Sequence, residues 1–415
     1  MLTRVLIAAW MCGAVAAPSG ARAGPDAVPI VIGEGGDEAA APVVIPTDGS
    51  ATDAGPAQPP PVADAFVVEE MPEASVAFRP GGGVTCQPCA PAAWETFTTV
   101  DALFIDRENS VGPLAVSGAF TDTPGATVIG SGNVRYPMSP GGRIFQTWRK
   151  RDCLGFEVGY LGVSGMHAEA LAVSPAGDLA VPGVLGIDTE THTGFGSATA
   201  IRPVLNSTLN SAECNLFTTR THDGCQRHDP LPWRRVGMVP TAEWLVGLRY
   251  AYLDESANLE VTAWSTPPPP APVSNTTSYR VTTSSQLFGP QIGHRRRIEW
   301  GPWAVEGWAK AGLMASVLSQ AQSAILAPAD LEQIRDPRKA STMGVGMIGD
   351  LNATIVRRLG DHWGVRAGYT LLWLTGVAPA ASQWDFTNDS VTSGTGVAKD
   401  TVFLHGASLG LEASW

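Results

Sequence analysis

Charged residues and long hydrophobic runs are both scarce in this chain. Asp, Glu, Lys and Arg make up 16% of the 415 residues, against 44% hydrophobic residues, and there are 46 glycines. After the first two dozen residues, no apolar run reaches the roughly 20 residues that a membrane-spanning helix requires. This absence excludes a helical membrane domain, and the composition fits strands and turns better than soluble helices. If the chain crosses a membrane, it does so with strands.

Sequence motifs of well-known enzymes are also missing. The chain contains no P-loop, no HExxH and no GxSxG. His405, Ser408 and Glu412 resemble a hydrolase triad in composition, but strand alternation turns His405 to the face opposite the other two. We therefore predict that the chain is not an enzyme, has no catalytic residues and uses no cofactor.

Clusters of basic residues are scarce in this chain. The formal net charge is −12, and nucleic-acid-binding proteins carry a concentrated basic surface, so we expect no nucleic acid partner. One basic run, Arg295-Arg296-Arg297, precedes Trp300 and Trp303. We interpret it as the periplasmic end of a strand, where aromatic residues lie at a membrane interface.

Cysteine is sparse, with six in the chain. Gly, Pro and Ala surround Cys86 and Cys89, so a local disulfide fits better there than a thioredoxin-type motif, which follows a strand and begins a helix. The pairing of Cys153, Cys214 and Cys225 stays open, and the odd number of mature cysteines leaves at least one thiol free or intermolecular.

The chain also lacks the residue spacing of a zinc-binding motif. The segment 222–229 contains His, Asp, Cys and Gln side chains that could bind a transition metal. Its spacing matches no zinc motif, and such residues are common in exposed loops. No metal site is predicted.

The first 90 residues divide into two segments that cannot build a core. Arg4, an apolar stretch and the small-x-small site Ala21-Arg22-Ala23 predict a signal peptide over 1–23. Residues 24–90 are rich in Pro, Ala, Gly and acids, with ten carboxylates between Asp26 and Glu73, and are predicted to be a disordered periplasmic spacer. The spacer could contact the cell wall or fold back as a plug. Residues 91–415 form the folded part.

The C-terminal fifteen residues alternate strictly between apolar and small or polar side chains. Phe403, Leu409, Leu411 and Trp415 share one face. A final strand of this kind resembles the insertion signal of outer-membrane β-barrels, which close on a C-terminal Phe or Trp. The resemblance implies that the barrel-insertion machinery reads this strand as its partner.

Similar alternation recurs along the rest of the folded part. Aromatic residues at both ends of several segments are typical of interfacial girdles. Eleven segments are visible, and a twelfth before a tight turn at Arg202-Pro203 restores the alternation of short and long connections. The twelve predicted strands are 94–107, 143–150, 154–163, 191–201, 207–217, 243–254, 257–265, 279–297, 303–317, 343–358, 363–375 and 401–415. We predict an all-β, antiparallel transmembrane barrel of about 12 strands, with short periplasmic turns and long extracellular loops.

Several short segments, in a shared order, resemble the beta-barrel porin-7 family. They are 245–250 with 253–255, 286–293, Gly368-Tyr369 with Trp373, and His405-Gly406 with 409–412. Segment 211–215 is similar to a further family segment. The chain departs from the family at Ser285 and Cys214. The resemblance covers roughly 94–415 and implies an outer-membrane barrel and, by the family's name, a pore.

Polar residues of the opposite face are assigned to the lumen. These predicted pore-lining residues are Glu213, Asn215, Glu243, Arg249, Glu306, Lys310, Asp350, Asn352, Arg366 and Glu412. We expect an outer-membrane porin for passive diffusion of small solutes in a bacterium with a double-membrane envelope, surrounded by lipid and able to form a homo-oligomer. A closed structural or adhesive barrel that presents its long loops is the alternative, and a secreted soluble β-protein is a third possibility.

Overall fold

The structure is a computed structural model, and it describes the folded part of the chain with gaps. The described residues are 30–31, 94–108, 114–117, 127–130, 132–150, 154–183, 185, 194–221, 239–264, 274–387 and 394–415. They belong to one unit of Met1–Ile32 with Ala92–Trp415, while Gly33–Pro91 form a second unit. The predicted signal peptide, nearly all of the predicted spacer, segment 222–229 and every cysteine except Cys214 lie outside them. No helix in the described residues is both long enough and apolar enough to span a membrane.

Ten long strands account for most of the described residues. They are β1 (Trp94–Glu108), β2 (Ser139–Lys150), β3 (Leu154–Glu169), β4 (Ala198–Thr221), β5 (Val239–Trp264), β6 (Ser274–Trp300), β7 (Trp303–Gln322), β8 (Arg338–Arg358), β9 (Trp363–Val377) and β10 (Asp400–Ser414). The remaining elements are short and lie in the connections. They are the strands Ala115–Ser117, Thr127–Ile129, Ala172–Val173, Leu179–Ala180, Ile325–Leu326 and Gln333–Arg335, and the 3-10 turn Ala381–Gln383. Ile30–Val31 pair in parallel with Ala172–Val173.

The ten strands close into an antiparallel barrel. Each strand pairs with the next in sequence, and β10 returns to pair with β1, so the sheet has no free edge among these strands. Closure extends to the last residue, because Trp415 and Thr96 exchange backbone hydrogen bonds of 2.9 and 3.1 Å. The predicted fold class is confirmed.

The number of strands differs from the prediction because two predicted turns lie inside strands. Arg202-Pro203 is part of β4, a strand of 24 residues, and Asp254-Glu255-Ser256 is part of β5, a strand of 26 residues. Each merger joins two predicted segments, which reduces twelve strands to ten. The parity remains even, so both ends of the barrel domain stay on the same side, as in single-chain bacterial barrels.

The mergers also move one long connection. Residues 222–238 join β4 to β5 at the barrel end that carries the short connections 151–153, 301–302 and 359–362. We predicted the connection 218–242 as an extracellular loop. Residues 222–238 lie outside the described residues, but β4 ends and β5 begins at the end that carries Trp94 and Trp415. The connections 109–138, 170–197, 265–273, 323–337 and 378–399 lie at the other end. We call the first the periplasmic end and the second the extracellular end.

The two faces of each strand separate as the alternation predicts. On β5, for example, Trp244, Val246 and Leu248 are exposed on the outer wall, whereas Glu243 and Arg249 are buried inside. Tryptophans cluster on the outer wall at the periplasmic end, where aromatic residues mark a membrane interface. The exposed tryptophans of this girdle are Trp94, Trp244, Trp303, Trp363 and Trp415.

Candidate functional site: the barrel interior

Charged side chains fill the half of the interior nearest the periplasmic end. They reach it because alternate residues of a strand point inward, and each of these side chains is in an ion pair. The seven carboxylates are Asp101, Glu157, Glu213, Glu243, Glu306, Asp350 and Glu412, and the seven cations are Arg143, Arg149, Arg249, Arg295, Arg297, Lys310 and Arg366. We call these fourteen residues the lower network. Its charges balance.

Lys310 and Arg249 share the same acidic partner in the deepest part of the lower network. The Lys310 ammonium contacts Glu213 and lies 3.5 Å from Glu157. The Arg249 guanidinium lies 3.1 Å from Asp350 and 3.8 Å from Glu213. All of these side chains are at most 6% exposed. Ion pairs this dry persist only where partners and hydrogen bonds compensate the lost hydration.

Two further ion-pair clusters surround this part. Arg366 lies 3.3 Å from Glu306 and 3.2 Å from Glu412, and Arg297 pairs with both carboxylates from the other side. Arg295 bridges Glu157 at 2.5 Å and Glu243 at 2.6 Å. The carboxylates are thus clamped between guanidinium groups from different strands, an arrangement of charge-assisted bonds with fixed geometry.

Apolar side chains fill the half of the interior nearest the extracellular end. Leu253, Leu287, Met314 and Leu404 point inward from four different strands and are at most 1% exposed. Residues of the extracellular connections pack against them in one cluster, among them Leu114, Ile129, Leu179, Ile325 and Trp384. We call this cluster the upper core. A cluster of buried apolar side chains therefore lies above the lower network.

Glu255 ties one connection into the barrel. It pairs with Arg107, accepts a hydrogen bond of 3.1 Å from the Ser207 hydroxyl, and accepts another of 2.9 Å from the Ala380 amide. The carboxylate is buried with its partner Arg107, both side chains being 3% exposed. It thereby anchors the connection 378–399 over the barrel opening.

Asp385 stabilises the same connection locally. It accepts hydrogen bonds from the Thr387 hydroxyl at 2.6 Å, the Thr387 amide at 2.9 Å and the Gly394 amide at 2.8 Å. Partial burial raises the pKa of the Asp385 carboxyl, but these hydrogen bonds outweigh it and hold the pKa below its ordinary value. Asp385 therefore stays ionised at neutral pH and keeps both ends of segment 385–394 together.

A cavity of about 520 Å³ opens at the periplasmic end and runs into the lower network, eight of whose members line it. Strand ends and turns form its rim, including Glu95, Glu299, Arg358 and Asp361, and it extends inward as far as Phe145 and Trp308. Lys310 lies 4.6 Å from the centre of the Phe145 ring, and the Trp308 indole donates a hydrogen bond of 3.1 Å to Asp350. The cavity therefore runs among charged side chains of the lower network and ends beside Phe145 and Trp308.

All ten residues assigned to the lumen point into the barrel. Nine have no more than 8% of their surface exposed, and Glu412, nearest the periplasmic end, is intermediate. Eight belong to the lower network, while Asn352 donates a hydrogen bond of 2.9 Å to Thr370, and Asn215 accepts one of 2.7 Å from Gln291. The structure brings them together as partners of one another, and their role in lining a pore stays a prediction.

Six members of the lower network were missed by the sequence analysis. They are Asp101, Arg143, Arg149, Glu157, Arg295 and Arg297. The alternation of their own strands could have found them, because each lies an even number of residues from an inward-facing neighbour. On β1, for instance, Asp101 shares the parity of the buried Leu103. Arg295 and Arg297 were interpreted as one basic run with Arg296, although they point inward and Arg296 points outward.

The predicted insertion-signal residues lie on the outer wall. Leu409, Leu411 and Trp415 are exposed, and Phe403 is half-buried beside His405. His405 also faces outward, where its ring lies 2.7 Å from the Tyr369 hydroxyl, whereas Ser408 and Glu412 face inward. Cys214 is a free thiol on the outer wall of β4.

Comparison with solved structures gives outer-membrane barrels. One is the outer membrane protease OmpT from Escherichia coli, with 8% identity, a TM-score of 0.40, and coverage of 77% of this chain and 97% of that one. Others are a Pseudomonas aeruginosa FadL homologue, with 10% identity and a TM-score of 0.18, and the Pseudomonas putida toluene transporter TodX, with 10% identity and a TM-score of 0.22. Both cover 78% of this chain and 90% of their own. No family model and no curated protein matches the chain.

The closed ring, the apolar outer wall and the tryptophan girdle define a β-barrel of the bacterial outer-membrane type. The prediction that this chain is not an enzyme, which was drawn from missing sequence motifs, is wrong as an exclusion, because one of the similar barrels is a protease. That likeness is too weak to assign an activity. The likeness removes the prediction that the chain is not an enzyme, and it assigns no enzymatic activity.

Proposed function

We propose that this protein is a closed outer-membrane barrel that holds its extracellular connections at the cell surface. The observation that carries the proposal is the closed interior, in which the innermost ion pairs of the lower network lie beneath the upper core. Side chains can fill a barrel of about eight strands, whereas barrels of sixteen or more leave an aqueous channel. A barrel of ten strands is close in size to the eight-stranded barrels that side chains can fill.

The charge pattern supports the same proposal. Ion selectivity in a channel comes from rings of one charge exposed to the passing ion. In the lower network each carboxylate contacts a cation, and the innermost of these side chains are buried. Removing one partner of a buried ion pair costs about 3–5 kcal/mol, so opening a path here would require many pairs to separate together.

The passive-diffusion porin predicted from the sequence, and membership of the beta-barrel porin-7 family with it, is the second candidate. The cavity at the periplasmic end favours it, because this cavity already extends among charged side chains of the lower network. Passage would still require the upper core to open.

Single-channel recording in planar bilayers separates the two candidates. The signal-cleaved protein, with and without residues 24–90, is inserted, and heat-modifiable migration in electrophoresis confirms folding. We expect silence from both forms. Stepwise currents from the full mature protein would support the porin, and currents from the shortened form alone would show that the spacer, rather than the barrel interior, closes the pore.

Display of the connections is tested on intact cells. An epitope inserted between Trp264 and Ser274 is expected to bind its antibody without permeabilisation. The matched insertion between Thr221 and Val239, at the periplasmic end, is expected to bind only after permeabilisation. The reverse pattern would overturn the proposed orientation and with it the display of these connections.

A further inference from the structure

Arg296 is a charged residue in an apolar part of the outer wall. It lies on β6 among the outward residues Ile292, Ile298 and Trp300, and its own side chain is exposed. Its neighbours Arg295 and Arg297 point inward and pair with carboxylates of the lower network. Within the described part of the chain, the Arg296 guanidinium has no hydrogen bond and no ion pair.

Arg296 lies at the depth of the periplasmic tryptophan girdle. Trp300 and Trp303 end the hairpin and mark the periplasmic interface. Arg296 lies between these residues and Trp244 of the same girdle, because Trp244 pairs with His294, two residues deeper on β6. At this depth an arginine on the lipid face of a barrel costs up to about 1 kcal/mol. A long side chain can turn its charged end towards the interface, where the available anion is a phospholipid phosphate.

Small residues flank Arg296 on the outer wall, and we call the surface over Ala242, Gly307 and Ala353 the groove. Its register partners are Ala242 on β5 and Gly307 on β7, and Gly307 in turn pairs with Ala353 on β8. A Cβ atom added to Gly307 would meet only the Asn352 carbonyl oxygen, at 3.2 Å. These small residues leave room for a methylene chain to run across the wall next to the guanidinium.

Larger side chains border this groove on both sides. On one side, Trp244 and His294 pack edge to face with ring centres 4.9 Å apart, and on the other side lie Ile298 and Val305. Trp244 is 54% exposed, so much of its ring is available to a ligand. An unpaired cation, an amphipathic ring and an apolar groove together match one ligand class, an anionic lipid with a phosphate head and acyl chains.

We propose that Arg296 and the groove over Ala242, Gly307 and Ala353 bind an anionic glycerophospholipid of the periplasmic leaflet. The guanidinium binds the phosphodiester through charge-assisted hydrogen bonds. One acyl chain lies in the groove, and Trp244 packs against the glycerol region.

Native mass spectrometry of the mature protein with defined lipids tests this site. The wild type is expected to retain one phosphatidylglycerol about ten-fold more tightly than phosphatidylcholine, the scale of one contact to a charged group. Arg296→Gln should reduce phosphatidylglycerol retention to the phosphatidylcholine level. Arg280→Gln is the matched control, because Arg280 is also outward and exposed on β6 but lies at the extracellular end.

A second variant separates the groove from the charge. Gly307→Val fills the groove without changing any charge, and it should weaken the retention of both lipids. Equal retention of phosphatidylglycerol by Arg296→Gln and the wild type would overturn the proposal. An equal loss in Arg280→Gln would also overturn it, because the effect would then follow net charge. Heat-modifiable migration of every variant confirms that the barrel is intact.

Discussion

Glu255 shows how much one buried carboxylate can organise in this barrel. It contacts Arg107 of β1, Ser207 of β4 and the amide of Ala380 in the last extracellular connection. These three partners are distant in sequence and meet only because the barrel closes. A buried carboxylate with three partners of this kind holds strands and connection together, provided that it keeps its charge.

Glu255→Gln is expected to destabilise the protein by about 3–5 kcal/mol, because Arg107 would remain buried without its counter-charge. The measurement is the urea midpoint of tryptophan fluorescence for the protein in liposomes. Glu260→Gln is the matched control on the same strand, since Glu260 faces outward and its pair with Arg202 is 3.4 Å long and partly exposed. That variant should change stability by at most about 1 kcal/mol. Equal midpoints for the two variants would contradict the role of Glu255.

At the scale of strands, Pro203 explains why β4 was divided in the prediction. Proline in a sheet is usually confined to edges and strand ends, because it lacks a donor for the ladder. Here the Pro203 carbonyl oxygen accepts a hydrogen bond from Ala170, just past the end of β3 at Glu169. The missing donor therefore faces the side where β3 has ended, and pairing with β5 continues through Leu259.

The polar run 254–256 misled the prediction for a different reason. Asp254 and Ser256 face outward beyond the lipid-facing part of β5, and Glu255 faces the buried Arg107. Polar residues on both faces resemble a turn when only composition is considered. The alternation of the strand continues through them.

A cross-strand disulfide tests the continuity of both strands. Val204 and Asn258 are register partners on β4 and β5, each beyond a predicted turn. We expect Val204→Cys with Asn258→Cys to form a disulfide on mild oxidation, seen as a mobility change that a reductant reverses. Val204→Cys with Asp254→Cys is the control, because Asp254 pairs with Thr208. Cross-linking in the control pair alone would support the divided strands instead.

For the whole molecule, the barrel domain contains its own core. The upper core and the lower network are both built from residues between Asp101 and Glu412. We predict that residues 91–415 alone fold in liposomes with the same heat-modifiable migration and the same urea midpoint as the mature protein. A midpoint lowered by more than about 1 kcal/mol would show that residues 24–90 contribute to the barrel, and so would loss of folding.

The sequence by itself was sufficient for the fold class, the direction in which each predicted lumen residue points, and the face that meets lipid. These follow from the two-residue period of a strand, which is a local property. Composition could not distinguish a turn from a polar stretch of strand, so it overestimated the number of strands by two.

Only the tertiary structure decided what the inward-facing residues do. Whether Arg249 or Lys310 lines water or an ion pair depends on the strand across the barrel, and barrel radius follows from strand number and stagger. Ten strands bring opposite walls close enough for Lys310 to reach Glu213 and for Arg297 to reach Glu412. The interior is therefore filled through contacts between residues far apart in sequence, which no local pattern records.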